Sequence, residues 1–87
     1  MKDSIKDYLK GVPCLFEHSV PGGVYGKKGI PDIIVCYKGL YIGIEAKTYE
    51  GEFSDWQKAR RTQILAAGGI VIFARSVEDV RDVIESL

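Results

Sequence analysis

Residues 29–47 read GIPDIIVCYKGLYIGIEAK, two apolar runs of strand length joined by Lys38-Gly39. Ile30 to Tyr37 and Leu40 to Thr48 carry the β-branched and aromatic residues that suit a pleated surface. The glycine of a two-residue connection can take the positive φ that a tight hairpin needs. If the turn closes on Lys38-Gly39, Tyr37 pairs with Leu40, opposed residue numbers sum to 77, and Asp32 faces Glu45. Alternation then puts Tyr41, Gly43, Glu45 and Lys47 on one side of the strand and Leu40, Ile42, Ile44 and Ala46 on the other. Ile33, Val35, Ile42 and Ile44 mark the core side. Glu45 and Lys47 share a face, roughly 7 Å apart at the rise of an extended strand. A three-residue turn or a bulge would shift this pairing and separate the carboxylates.

Upstream of the hairpin, Lys2 to Lys10 sets Ile5, Tyr8 and Leu9 at helical spacing, with Gly11 placed to end a short helix. Val12 to Val20 reads as a strand, and Pro21-Gly22-Gly23 breaks it. The loop from Pro21 to Gly29 holds four glycines and the pair Lys27-Lys28, so it can turn backbone N–H groups and two cations toward an anion. Downstream, Ser54 begins a helix running to about Ala67, with Gln57 in the capping-box position, and Gly68-Gly69 ends it. Ile70 to Ala74 is an unbroken apolar run of strand length, suited to a strand covered on both faces. Ser76 caps a last helix, with Asp79 at the capping-box position and an apolar stripe of Val77, Val80, Val83, Ile84 and Leu87. The expected order is α-β-β-β-α-β-α: an α/β fold with a mixed four-stranded sheet flanked by helices, in one domain spanning 1–87.

With 87 residues a single domain has a marginal core, which a partner subunit would help. Composition, 46% hydrophobic and 28% charged, is that of a folded chain rather than a disordered one. Twelve basic residues balance twelve acidic ones, which excludes a global basic field, so any phosphate binding must be local. No apolar run approaches the roughly 20 residues of a membrane span, and the charged start MKDSIKDYLK does not suit a signal peptide, so a soluble, cytoplasmic, non-secreted protein is expected. Cys14 and Cys36 lie in apolar runs without zinc-ligand spacing and are expected to be free buried thiols; a disulfide between them would need an oxidising compartment.

Like charges directly opposed on a sheet, with Cβ atoms about 5 Å apart, are destabilising, so Asp32 facing Glu45 needs a compensating charge. A hard divalent cation such as Mg²⁺ supplies it, being held by one or two carboxylates with further oxygens, of which the Ala46 carbonyl is one candidate. Lys47 beside such an ion can orient or deprotonate water and stabilise charge developing on a phosphate. The competing reading has Asp32 as a turn residue after Pro31, and Glu45 and Lys47 as a solvent-facing ion pair.

Gly29-Ile30-Pro31-Asp32, then Ile44-Glu45-Ala46-Lys47, then Gln57 on the next helix resemble the PD-(D/E)xK nuclease signature. More narrowly, the stretch from Gly26 to Val80, including Ala67-Gly68-Gly69-Ile70 and Ala74-Arg75-Ser76, resembles the virus-type replication-repair nuclease (VRR-NUC) domain. The resemblance implies a restriction-endonuclease-like core and a metal-dependent DNA endonuclease, with Asp32 and Glu45 as Mg²⁺ or Mn²⁺ ligands, Lys47 catalytic and Gln57 assisting. It further implies branched DNA, such as a Holliday junction, as substrate, a homodimer, and a phage or prophage setting in a bacterial host. Superfamily members often place a further glutamate on the first helix; here that helix offers only Asp3 and Asp7, with Glu17 or His18 on the first strand as substitutes. Lys27, Lys28 and Arg61 are the expected phosphate contacts, joined by Tyr25 and Tyr49 near the site, while Lys58 and Arg60 read equally as a solvated helix face. Trp56 and Tyr8 read as core or dimer contacts. A non-catalytic nucleic-acid-binding module that keeps the fold is the alternative function.

Overall fold

The structure is a computed structural model that describes residues 2–18, 30–47 and 51–87. Within them the order is α1 (Lys2–Lys10), β1 (Leu15–His18), β2 (Ile33–Tyr37), β3 (Leu40–Ala46), α2 (Asp55–Ala66), β4 (Ile70–Ala74) and α3 (Val77–Ser86). The four strands lie in chain order in one mixed sheet, β1-β2-β3-β4. The β1–β2 and β2–β3 pairs are antiparallel and β3–β4 is parallel. A parallel pair needs a crossover, and α2 makes it. The protein is thus α/β, with an open sheet and three helices.

The hairpin closes on the two-residue turn. Lys38 and Gly39 both have positive φ, 52° and 78°, as the mirror-image turns favoured in hairpins require. Tyr37 opposes Leu40 and Ile33 opposes Ile44, so every pair sums to 77 and no bulge intervenes. β2 nonetheless begins at Ile33, three residues later than the apolar run suggests. Pro31 has no N–H to give a ladder, and its ring packs over Gly43, where an added Cβ would stand 2.6 Å from Pro31 Cγ and 3.1 Å from Pro31 Cβ. The chain entering β2 therefore crosses the face of β3, and only glycine admits it there.

The main core lies between the sheet and the helices α1 and α3. Ile5 and Leu9 from α1, and Val80 and Ile84 from α3, pack on Ile33, Val35, Ile42, Ile44, Ile72 and Ala74. The 3.6-residue spacing of the helical members and the alternation of the strand members are the same two patterns visible in the chain. On the opposite face α2 sets Ile64 against Gly43 and Gly69. Ser54 and Gln57 complete the expected capping box: the Ser54 hydroxyl accepts from Gln57 N–H at 3.1 Å, and Gln57 Oε1 accepts from Ser54 N–H at 2.7 Å.

Several local expectations are corrected. β1 starts at Leu15 rather than Val12, because Gly11, Val12 and Cys14 donate to Tyr8, Leu9 and Val12 carbonyls in a turn that continues α1. Cys14 is half-buried and Cys36 exposed, both free; Cys36 follows the core residue Val35 and so faces away from the main core, opposite exposed Leu15. At α3 the Ser76 hydroxyl accepts from Asp79 N–H, but Asp79 Oδ2 reaches past the cap to Arg75 N–H at 2.8 Å. Trp56 is 61% exposed and is no part of the core. Among the described residues no helix is long and apolar enough to cross a membrane.

Candidate active site

Asp32 immediately precedes β2 and Glu45 is the penultimate residue of β3, so the hairpin register brings them together at one end of the sheet. Each carboxylate holds the other's strand. Glu45 Oε1 accepts from the Asp32 N–H at 2.8 Å, and Asp32 Oδ2 accepts from the Ala46 N–H at 3.0 Å. The Pro31 ring over Gly43 places the chain just before Asp32 on the face that carries Glu45.

Glu45 is 2% exposed, the buried charged residue among those described, which excludes the solvent-facing reading for it. Its second oxygen, Oε2, is buried and has no hydrogen-bond partner. Burial, followed by the neighbouring Asp32 charge, pushes the Glu45 carboxyl up to about 7; the Asp32 N–H, the Gln57 amide and the Lys47 ammonium act the other way. A buried carboxylate with an orphaned oxygen is a strong local demand for a cation or a proton.

Lys47 follows β3 directly and is half-buried, its N–H donating to Ala74 O at 3.0 Å. Gln57 comes to Glu45 from α2, its Oε1 held by the capping box. The start of α2 is pinned in turn by Arg75. Its Nη1 donates to Gly51 O at 2.6 Å, and its guanidinium lies 5.1 Å from the Phe53 ring centre. Phe53 stacks on Phe73 at 4.1 Å, and Phe73 is the β4 partner of Glu45. Arg75, Phe53 and Phe73 thereby fix the approach of Gln57 to the carboxylates. Arg61 sits 5.8 Å over the other reach of this stack, at Phe73, on the strand next to Glu45.

Lys2 was not legible as a site residue. Its Nζ lies 3.4 Å from Asp32 Oδ1, with Lys2 40% and Asp32 17% exposed. The first helix thus presents an ammonium to Asp32, where the resemblance implies a glutamate. Asp3 and Asp7 instead pair with Lys6 and Lys10 on the outer surface of α1. His18 Nδ1 lies 3.4 Å from Lys6 Nζ on the exposed surface, and Glu17 is exposed on β1. Among the described residues no group of three or more His, Cys, Asp or Glu side chains is placed to hold a metal. Among the described residues the oxygen donors at the site are two carboxylates and the backbone: Ala46 turns its N–H to Asp32, and in an extended strand the carbonyl of that residue points to the same side. Such a set fits Mg²⁺ or Mn²⁺, which keep several waters and take one or two carboxylates. Lys27 and Lys28, Tyr25 and Tyr49 lie outside the described residues.

Comparison with known protein families, curated proteins and solved structures finds no match to this chain.

Proposed function

We propose that the chain is a metal-dependent deoxyribonuclease with a restriction-endonuclease-like core, similar to the VRR-NUC group of PD-(D/E)xK nucleases. The observation that carries this reading is the buried Glu45 beside Asp32, with Oε2 unsatisfied. Purely structural carboxylates are seldom left so, since an unpaired buried charge is strongly destabilising.

Asp32, Glu45 and the Ala46 carbonyl would hold Mg²⁺ or Mn²⁺. Bound there, the ion supplies Lewis acidity toward a phosphoryl oxygen and lowers the pKa of water. Lys47 keeps its ammonium beside Glu45, where it binds a phosphate oxygen and stabilises the charge that builds as the phosphodiester is attacked. Gln57 orients Glu45 and offers an amide donor for water. Phe73, the β4 partner of Glu45, and Phe53 stacked on it set apolar surface beside the site, which strengthens each of these charge interactions. Branched DNA is the proposed substrate, and a homodimer acting in the cytoplasm of a bacterial host the proposed setting. Leu15 and Trp56, 67% and 61% exposed, suit contact with a second copy.

Labelled four-way junction, flap and linear DNA incubated with Mg²⁺, Mn²⁺ or EDTA provide the test. Cutting in metal and none in EDTA is expected, with Lys47→Ala abolishing cutting while DNA binding persists. Failure to cut every substrate in either metal would sink the enzymatic reading. Binding without cutting would favour the non-catalytic module.

A further inference from the structure

Beyond the carboxylates, the same sheet face carries a second feature. A cleft of about 380 Å³ is lined by Tyr41, Arg60, Gln63, Ile64, Ala67 and Gly69, within the size class of small-ligand sites. Its floor is apolar and its polar groups differ in kind: a phenol, a guanidinium and a carboxamide. Tyr41 is 40% exposed, so its ring is available from the cleft. Arg60 forms no ion pair with the described residues, and its charge acts on the Tyr41 hydroxyl.

The cleft is a consequence of close packing. Gly69 has no side chain; an added Cβ would stand 2.7 Å from Ile64 Cγ2, 3.0 Å from Tyr41 O and 3.3 Å from Tyr41 Cδ1. Its absence lets the end of α2 settle beside the Tyr41 ring, while Arg60 and Gln63, one helical turn apart, rise on the same side.

Position matters as much as chemistry. Tyr41 and Glu45 point to the same side of β3, four residues apart, about 13 Å at a strand's rise. α2 spans the same interval, with Gln57 by Glu45 and Ala67 at the cleft. A DNA strand advances about 3.4 Å per stacked nucleotide, so the cleft lies about four stacked steps from the carboxylates, and fewer once the strand unstacks. A base inside a duplex offers no face to a protein ring; only a splayed base can lie against Tyr41.

We propose that the Tyr41–Arg60–Gln63 cleft is a subsite for an unpaired nucleotide of the DNA strand whose backbone reaches Asp32 and Glu45. The base stacks on Tyr41, the Arg60 guanidinium binds its phosphate, and the Gln63 amide meets the base edge. This rests on the nuclease reading for the strand's course, but the cleft itself binds without chemistry. The subsite gives the site a preference for DNA that has a single-stranded arm beside the duplex.

The test uses the full chain in EDTA, so that no cutting occurs, with fluorescence anisotropy on a labelled blunt duplex and on the same duplex bearing a thymidine arm. Wild-type protein is expected to bind the armed duplex more tightly. Tyr41→Leu should lower that affinity by about 5- to 100-fold, the range for loss of one base–aromatic stack, and leave the blunt duplex within about twofold. Tyr41→Phe should retain the preference, and Arg60→Gln should weaken it. Thermal melts of each variant separate a binding loss from a folding loss. Equal binding of both DNAs by wild type, or equal loss of both in the folded variants, overturns the subsite. A Tyr41-dependent preference in a protein that cuts nothing in Mg²⁺ or Mn²⁺ supports the subsite and overturns the nuclease reading. Metal-dependent cutting of armed DNA that is indifferent to Tyr41 does the reverse.

Discussion

Asp32 and Glu45 are tied through each other's backbones, the Glu45 carboxylate on the Asp32 N–H and the Asp32 carboxylate on the Ala46 N–H next to Glu45. Two acids that repel at close range are thereby also the clamps that hold each other in place. Replacing either with alanine removes an acceptor and a positional constraint together, so the two substitutions should be far from additive. Asp32→Asn and Glu45→Gln each keep an acceptor oxygen. They are expected to leave the fold near wild type while lowering Mn²⁺ affinity by at least tenfold in calorimetry; unchanged affinity in both would remove the pair as ligands.

The pH dependence follows from Glu45. Its carboxyl is raised from 4.5 to about 7 by burial and by Asp32, so the folded state holds a proton that the unfolded chain has released across that interval. The associated stability is full below about pH 4.5 and is lost as pH rises through about 7. At about 1.4 kcal/mol per pH unit, the loss is of the order of 3 kcal/mol. Urea unfolding of the metal-free protein between pH 5 and 9 should show this decline, and Glu45→Gln should flatten it. Mn²⁺ should reverse it, releasing a proton on binding below pH 7. A wild-type profile parallel to that of Glu45→Gln would contradict the assignment.

Gly43 tests the entry to the site. A methyl group at this position meets the Pro31 ring at 2.6 Å, and proline cannot give way by rotating a flexible side chain. Gly43→Ala is expected to cost about 1–3 kcal/mol in unfolding free energy, the range for overpacking, and to weaken Mn²⁺ binding by displacing Asp32. Full stability with full metal affinity would show that the crossing over Gly43 is not needed.

Arg75 tests the support of Gln57. Arg75→Met removes the bond to Gly51 O and the cation over Phe53, an expected loss of about 1.5–3 kcal/mol for a charged hydrogen bond. Under the proposed activity, cleavage should fall chiefly in kcat rather than KM, because Gln57 orients Glu45 rather than binding DNA. A selective rise in KM would instead make Arg75 a DNA contact.

Lys38 occupies a left-handed conformation at φ 52° that favours glycine or asparagine. Lys38→Asn should raise stability by about 0.5–1 kcal/mol, partly offset by loss of the exposed contacts to Leu87 O and the Tyr37 ring. Metal binding should be untouched. A drop in melting temperature would mean that those contacts outweigh the backbone preference.

The hairpin was the most legible part of the chain, because a two-residue turn and strict alternation leave one register, and that register brings Asp32 to Glu45. The helices were equally readable from Ser54, Gln57 and Ser76 and from their apolar spacing. Interactions between distant segments were not. Nothing local to Lys2 says that its ammonium reaches Asp32, and nothing in Arg75 announces its bond to Gly51. Gly43 did carry a signal, since a glycine amid Ile42 and Ile44 weakens a strand unless something must lie close above it. The cysteines are free as expected, but their burial was misjudged, because apolar neighbours along the chain do not reveal which face is covered: Cys36 alternates with the core residue Val35 and faces the other way.

The reciprocal clamp also bears on the order of folding. Asp32 and Glu45 are 13 residues apart on one hairpin, an element that closes in about 1–10 μs in isolation. Two of the groups that temper the pair, the Lys2 ammonium and the Gln57 amide, arrive on α1 and α2, and the β3–β4 pairing requires the whole α2 crossover. Early in folding the chain therefore gathers two acids with only Lys47 and the hairpin's own N–H groups to offset them. We expect the refolding arm of a chevron plot to slow between pH 6 and pH 8 in wild type and not in Glu45→Gln; a change confined to the unfolding arm would place closure of the carboxylate pair after the rate-limiting step.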